Sequence, residues 1–528
     1  MKNRLKSKNH FLMVILIAMM SFYSAKAQVN VNSLEGLRTA VQGSDQEIIM
    51  QAGNYNLEDL NVRIREITCS GSNNTINLTG VYVAVPVGSI SETYFVISGN
   101  NNTVIGGEFE DVYRSGITEI IDFSAYNQDR NNLANGLGDA NVEVSGTDNL
   151  IDGLKLTVRG SFPYGYGSMY GINGTNIFGL DKHSGLVING PRNTLDNVEL
   201  QQRAFGHGIF MQGDADETVI KNTLVEGRVR PTGDLYQENK AYDLPSRAGF
   251  KMPYEDNRAL PTDEVHSLSE DGIRQYTGVG SITVENCTVK KMRGGIRLYL
   301  GGKATVTNSA SIDCGTTNWN LPNNAVVTKS SGNFAYASLS DFRLSRNGMN
   351  IEWTIIPSPH ATGPHNLVDL LGSNHNIVFH RTPGPIDTDL RPIVISGDNS
   401  TIVNETEYPI ILESGAVNNT IISCGSVTDN GRNNVISECD TPILSVENSN
   451  IDISNKPIMY PNPVGSITTI KYAENSILSI YDLKGVKVFT KVVLDEREVI
   501  DLSSLATGIY FADVKGVSSK EGMKLIKK

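Results

Sequence analysis

A short pattern, glycine then an apolar residue then a basic one, recurs in this chain at a fixed step. Gly249-Phe250-Lys251, Gly272-Ile273-Arg274 and Gly295-Ile296-Arg297 follow one another at intervals of 23 residues. A step of about 20–25 residues that keeps a strand pattern is the length of one coil of a parallel β-solenoid. Short β-rich runs behind an Asn- or Gly-containing turn extend the same reading over most of the chain. Examples are Asn74-Thr75-Ile76, Asn102-Thr103-Val104, Asn149-Leu150-Ile151, Asn193-Thr194-Leu195, Ile282-Thr283-Val284, Asn376-Ile377-Val378 and Asn419-Thr420-Ile421. Asparagine tolerates left-handed backbone and can stack in side-chain ladders, so these residues read as turn and stacking positions. Long apolar-periodic helical stretches are missing. The fold class expected is all-β: a right-handed parallel β-helix.

The best-registered block runs from Gly185 to Gly301. Gly185 and Gly208 are 23 residues apart, and Gly249, Gly272 and Gly295 keep that step. The 41-residue gap from Gly208 to Gly249 fits two short coils, with Gly227 between them. Side chains alternate along a strand, so Ile296 and Leu298 point inward while Arg297 and Tyr299 point out. Likewise Phe250 and Ile273 point in, and Lys251, Arg274 and Tyr276 point out. Gln275 then falls inside, against the pattern. Residues 162–181, 231–247 and 318–365 interrupt the coils, and such loops commonly wall a groove on one side of a solenoid.

Both ends differ from the middle. Basic residues, the apolar run Phe11 to Met20 and Ala25-Lys26-Ala27 make 1–27 a signal peptide, leaving an exported protein. From residue 458 the chain reads as a compact all-β unit, through Tyr460-Pro461-Asn462-Pro463, Tyr481-Asp482 and Gly508-Ile509-Tyr510. This unit resembles the C-terminal sorting domain of type IX secretion cargo in Gram-negative bacteria. The resemblance implies a small β-sandwich, recognition by the type IX machinery, and release or attachment at the cell surface. The division expected is 28–447 for the β-helix, 448–457 for a linker and 458–528 for the sorting domain. A net charge of −12 argues against nucleic acid as a partner. Five cysteines with no C-x-x-C pair suit buried apolar packing with one bridge at most. A monomer is expected.

The chemistry suggested by the repeat is that of a cationic column. Lys251, Arg274 and Arg297 on successive rungs would stand about 4.8 Å apart and repel unless an anion lay across them. Tyr276 and Tyr299 flank them, a setting suited to an acidic polysaccharide. In β-elimination at a uronic acid a cation neutralises the carboxylate, a base removes the adjacent proton, and an acid protonates the departing oxygen. Lys251 is the base expected, because neighbouring arginines disfavour its protonated form. Arg274 and Arg297 would hold carboxylates through their planar forks. Tyr276, Tyr299 or Tyr254 would donate the proton, and Arg230 would add a substrate contact. His207, in Gly206-His207-Gly208, is a further base or neutraliser, and His183 lies near the equivalent turn one coil earlier. Glu270-Asp271, just before Gly272, puts a carboxylate where it could orient Arg274.

The order Lys251, then Arg274, then Met292-Arg293-Gly294-Gly295-Ile296-Arg297-Leu298-Tyr299 is similar to β-helical polysaccharide lyases of the alginate lyase and chondroitinase B family. Residues 34–55 resemble that family's opening strand. The resemblance implies Lys251 as base, Arg274 as acid or carboxylate clamp, and often a calcium ion, for which Glu226, Glu238 and Asp243 are candidate ligands. The family's Arg-His-Gly is replaced here by Arg274-Gln275-Tyr276. The leading expectation is a secreted lyase acting on a uronate polymer, alginate first. The alternatives are a C5-epimerase, a glycoside hydrolase working through carboxylates such as Asp271, and a non-catalytic carbohydrate-binding solenoid.

Overall fold

The computed structural model describes residues 26–528 except 63–64, 87–92, 113–139, 160–182, 205, 232–264, 268, 277, 299–301, 335–337, 343–345, 359–364, 383–386, 388, 440–456, 461, 472, 474–475, 483–484, 494–496 and 516–519. The chain forms two compact units that divide near residue 441. The first is a right-handed parallel β-helix. One wall is a 13-stranded parallel sheet, and the other two walls belong to a 21-stranded sheet.

The recurrent Asn runs stack on one wall in chain order. Thr75 pairs with Thr103, Thr103 with Leu150, Leu150 with Thr194, and Thr194 with Val219. The asparagines before them form the expected ladder. The backbone N–H groups of Asn74, Asn102 and Asn149 donate to the side-chain oxygens of Asn102, Asn149 and Asn193, each at 2.9 Å. All four are essentially buried, and each side-chain bond satisfies a backbone donor that the turn would otherwise strand. A second ladder, Asn222–Asn286–Asn308, runs along the surface at 3.1 and 2.7 Å, with all three residues in the left-handed region.

The repeated glycine has a packing cause. A Cβ at Gly185, Gly208, Gly272 or Gly295 would overlap Leu200, Val225, Val289 or Ser311 respectively, each pointing inward from the opposite wall. The core is too thin there for any side chain. One residue later Leu186, Ile209, Ile273 and Ile296 fill it, all fully buried, and each contributes roughly 1.5–3 kcal/mol of hydrophobic stabilisation. Gln275 is inside as read, with its Nε2 donating to the Gly280 carbonyl at 3.1 Å.

Four expectations are corrected. The strand before Asp271–Gln275 on its wall is Ile209–Met211, with Phe210 opposite Arg274. The 23-residue step from Gly249 to Gly272 therefore does not mark neighbouring rungs. An insertion based on an antiparallel ribbon, Val229–Pro231 with Val265–Ser267, lies between them, and its length mimics one coil. Gly227 is not an intermediate rung of this wall, because its N–H donates to Lys290 O on another strand. Residues 318–365 are regular coil rather than interruption, carrying the strands Val326–Gly332, Ser338–Phe342 and Asn350–Ile355; their Ser- and Asn-rich sequences hide the pattern. Finally, residues 34–55 open with an α-helix, Leu34–Ala40. Ser33 caps it by accepting from the Gly36 N–H at 3.1 Å, and Leu34 and Leu37 are buried.

Cys424 and Cys439 form a disulfide, while Cys69, Cys287 and Cys314 are buried free thiols whose pKa values burial pushes up to about 12. The second unit has a three-stranded and a four-stranded antiparallel sheet. They enclose a core that includes Ile470, Leu478, Ile480, Ile500, Ala512 and Leu525.

Candidate active site

Three positions of the 13-stranded wall, repeated on successive rungs, build a cluster of charged and aromatic groups. At the start of the strands Ser184, His207, Asp271 and Gly294 succeed one another, tied by His207 N–H to Ser184 Oγ at 3.2 Å and by the Asp271–Gly294 pairing. One residue earlier come Gly206, Glu270 and Arg293, linked through backbone bonds of 2.8 and 2.9 Å. Three residues after the first position stand Phe210, Arg274 and Arg297.

Asp271 is the hub. Its carboxylate lies 2.9 Å from Arg297 Nη1 and 3.3 Å from Arg274 Nη1. The absence of a Cβ at Gly294 permits this, since one there would overlap both the Asp271 carboxylate and the Arg297 stem. Burial alone would raise the Asp271 pKa. The guanidiniums of Arg297 and Arg274, with His207 and Arg293, hold it well below the usual carboxylate range. Glu270 accepts from Arg293 Nη2 at 3.0 Å, and both are about 1 % exposed.

His207 connects the carboxylates to the aromatic groups. Its Nδ1 accepts the Asp271 backbone N–H at 3.2 Å, which puts the proton of a neutral ring on Nε2. Nε2 is 2.7 Å from Tyr276 Oη and 3.3 Å from Glu270 Oε2. Tyr276 crosses the outer face of the wall. Its ring meets Phe210 edge-on at 6.1 Å and lies 4.9 Å from the Arg274 guanidinium carbon. Burial raises the phenol pKa; Arg274 opposes this, while Glu270 and Asp271 add to it. The resting group at neutral pH is a protonated phenol beside a histidine of fixed tautomer, a suitable proton donor.

The structure thus brings together His207, Arg274, Tyr276 and Arg297. It does not set the arginines open to water: each is 9 % exposed and shares Asp271. Lys251, Tyr254 and Tyr299 lie outside the described residues. Arg230 sits in the antiparallel ribbon, its backbone opposite His266. His183 forms a separate pair, Nε2 to Asp111 Oδ2 at 2.9 Å, and Asn141 donates to both Asp111 oxygens. Spacing could not reveal a pair 72 residues apart.

A calcium ion does not fit the described residues. Glu226 already accepts two ammonium groups, Lys290 and Lys291, each at 3.2 Å. Glu238 and Asp243 fall outside the described residues. Among the described residues no group of three or more His, Cys, Asp or Glu could hold a metal.

Residues 458–528 match the secretion system C-terminal sorting domain. That domain indicates type IX secretion, so the protein engages the secretion machinery and is secreted or held at the cell surface. No curated protein matches the chain. Among solved structures it is similar to a PL6 alginate lyase in complex with a trisaccharide, at 12 % identity and a TM-score of 0.38, covering 77 % of this chain and 87 % of that one. It is similar also to a mutant tailspike protein of E. coli bacteriophage HK620 in complex with a pentasaccharide, at 9 % identity and 0.41, covering 96 % and 78 %. A third is the catalytic domain of a GH87 alpha-1,3-glucanase in complex with nigerose, at 14 % identity and 0.34, covering 79 % and 66 %. Identities this low leave the chemistry to be argued from the chain's own residues.

Proposed function

We propose that the β-helix is a polysaccharide lyase cleaving a uronate polymer, alginate first, by β-elimination. The observation that carries this reading is the 2.7 Å couple between His207 Nε2 and Tyr276 Oη, with Arg274 against the same ring. Tyr276 protonates the departing glycosidic oxygen as the C4–O bond breaks and the C4–C5 double bond forms. The C5 proton passes to a base, the role that the family resemblance gives to Lys251. His207 stabilises the transient phenolate through its Nε2–H until solvent returns a proton. Arg274 lowers the cost of charge on the uronate carboxylate.

The hydrolase alternative is less well supported by the carboxylates. A glycoside hydrolase needs a carboxylic acid that holds its proton, whereas Asp271 is held ionised by two guanidiniums and is 2 % exposed. An epimerase shares the proton abstraction, and its products separate the two. Mature protein is incubated with alginate, pectate and chondroitin in deuterated buffer, and the products are examined by ultraviolet absorbance and mass. Unsaturated, shortened chains are expected. Deuterium incorporation without shortening would replace lyase by epimerase, and shortened chains lacking unsaturation would replace it by hydrolase.

A further inference from the structure

Three guanidiniums stand in register on consecutive rungs of the wall that leads into the site. Lys155–Val158 pairs with Glu199–Gln202 residue for residue, and the Arg203 N–H continues that ladder to the Val158 carbonyl at 2.8 Å, setting Arg203 opposite Arg159. Glu199–Gln201 pairs in turn with Leu224–Glu226, so Arg228 takes the same place on the next rung. All three side chains are partly exposed. Their spacings of 44 and 25 residues are irregular, so no sequence period discloses them.

The rungs differ in how the charge is met. Arg159 is paired with Glu110. Arg203 is held by neutral oxygens, Gly227 O at 3.2 Å and Gln201 Oε1 at 2.7 Å. These bonds fix the plane of the guanidinium without cancelling its charge. Like charges opposite one another weaken a β-ladder, and an anion laid across them removes that penalty. The rung spacing of about 4.8 Å is roughly the advance of one sugar along an extended polysaccharide. Arg203 also lies only four residues before His207, at the corner where the chain passes onto the wall of the site.

We propose that Arg159, Arg203 and Arg228 form an edge that binds the carboxylates of consecutive sugars in a polyuronate lying along the solenoid axis, with Arg203 the main anion contact. The ligand class rests on the lyase reading; the geometry does not, and binding is measurable apart from cutting.

The test uses the full mature chain carrying Tyr276→Phe, so that the polymer survives. Affinities for alginate oligosaccharides, for polygalacturonate and for neutral dextran are measured at low and high salt. Adding Arg203→Gln weakens both polyuronates by about tenfold, the loss of one charge-assisted contact, and flattens the salt dependence. Arg203→Lys keeps most of the affinity, which separates lost charge from lost folding. Arg38→Gln, on the N-terminal helix beside Glu35, leaves binding unchanged. Polyuronate binding undiminished in both Arg203→Gln and Arg228→Gln overturns the proposal. So does a parent chain that binds the polyuronates no better than dextran. If the wild-type chain binds polyuronate through Arg203 yet never cuts it, the edge stands and the lyase reading fails.

Discussion

The same wall runs past Arg274 and, several rungs on, past Ile411, and the two stretches differ on one side only. Inward, Ile273 and Ile296 correspond to Ile393 and Ile410, all fully buried. Outward, Phe210, Arg274 and Arg297 give way to Val394, Ile411 and Thr428. Where the site rungs have Gly272 and Gly295, the later rungs have Pro392 and Pro409. The core that holds the solenoid together is therefore indifferent to function. What distinguishes the site is a backbone thin enough for side chains from neighbouring rungs to converge on Asp271.

That contrast can be broken by substitution, and the largest effect belongs to chemistry. Tyr276→Phe is expected to reduce turnover of alginate by roughly 10²–10⁴-fold, the usual worth of a general acid, with polymer affinity and unfolding midpoint nearly unchanged. An equivalent change at Tyr408, in the later rungs, should alter stability rather than kinetics, because its hydroxyl serves the buried Asp387.

Asp271→Asn comes next. It leaves Arg274 and Arg297 without their shared charge, and breaking a buried pair from one side costs about 3–5 kcal/mol, readable in denaturant unfolding. The deficit depends on pH with a definite sign. The folded pKa of Asp271 lies below the unfolded value of about 3.9. Its contribution is therefore complete above that pH and is lost as pH falls toward the folded value, so parent and variant should converge only in strong acid.

Gly294→Ala should cost about 1–3 kcal/mol through overlap with Asp271 and the Arg297 stem. Gly415→Ala is the matched control. The nearest atom to its Cβ is Ser396 O at 3.6 Å, and a change within about 0.5 kcal/mol is expected.

The smallest effect sharpens the comparison from the other end. His380 bridges Glu405 at 2.7 Å and Glu352 at 3.0 Å on a half-open face. Partial burial would lower its pKa, but the hydrogen bonds to the two carboxylates outweigh this and raise it. The stability it adds is complete below the unfolded value of about 6.5 and is lost as pH rises through the folded one. His380→Gln should remove about 0.5 kcal/mol or less at pH 6 and nothing in alkali. The site rungs thus lose stability in acid, and the later rungs at the alkaline side of neutrality.

Much of this was legible in the sequence, for physical reasons that also set the limit. Asn74, Asn102 and Asn149 announce their ladder because one chemical device, an amide stacked at a turn, is repeated. Gly272 and Gly295 announce the thin corner for the same reason. Asp271 was visible only as a carboxylate near Arg274. Two-residue alternation puts it on the inward face with Ile273, and the bend at Gly272 breaks that parity, which sequence cannot signal. The Gly249 motif misled because an insertion happened to match the length of a coil. Arg159, Arg203 and Arg228 stayed hidden for the converse reason: they are neighbours in space at unequal separations along the chain.

The account stands on one couple, the imidazole of His207 handed to the phenol of Tyr276 beside a guanidinium. Its most direct test is the rate at which the wild-type chain and Tyr276→Phe generate ultraviolet-absorbing ends from alginate at equal bound fraction. A steady rise with the first and a fall of at least about a hundredfold with the second is the predicted result. Equal rates from both, or no absorbing product from any acidic polymer, would contradict it.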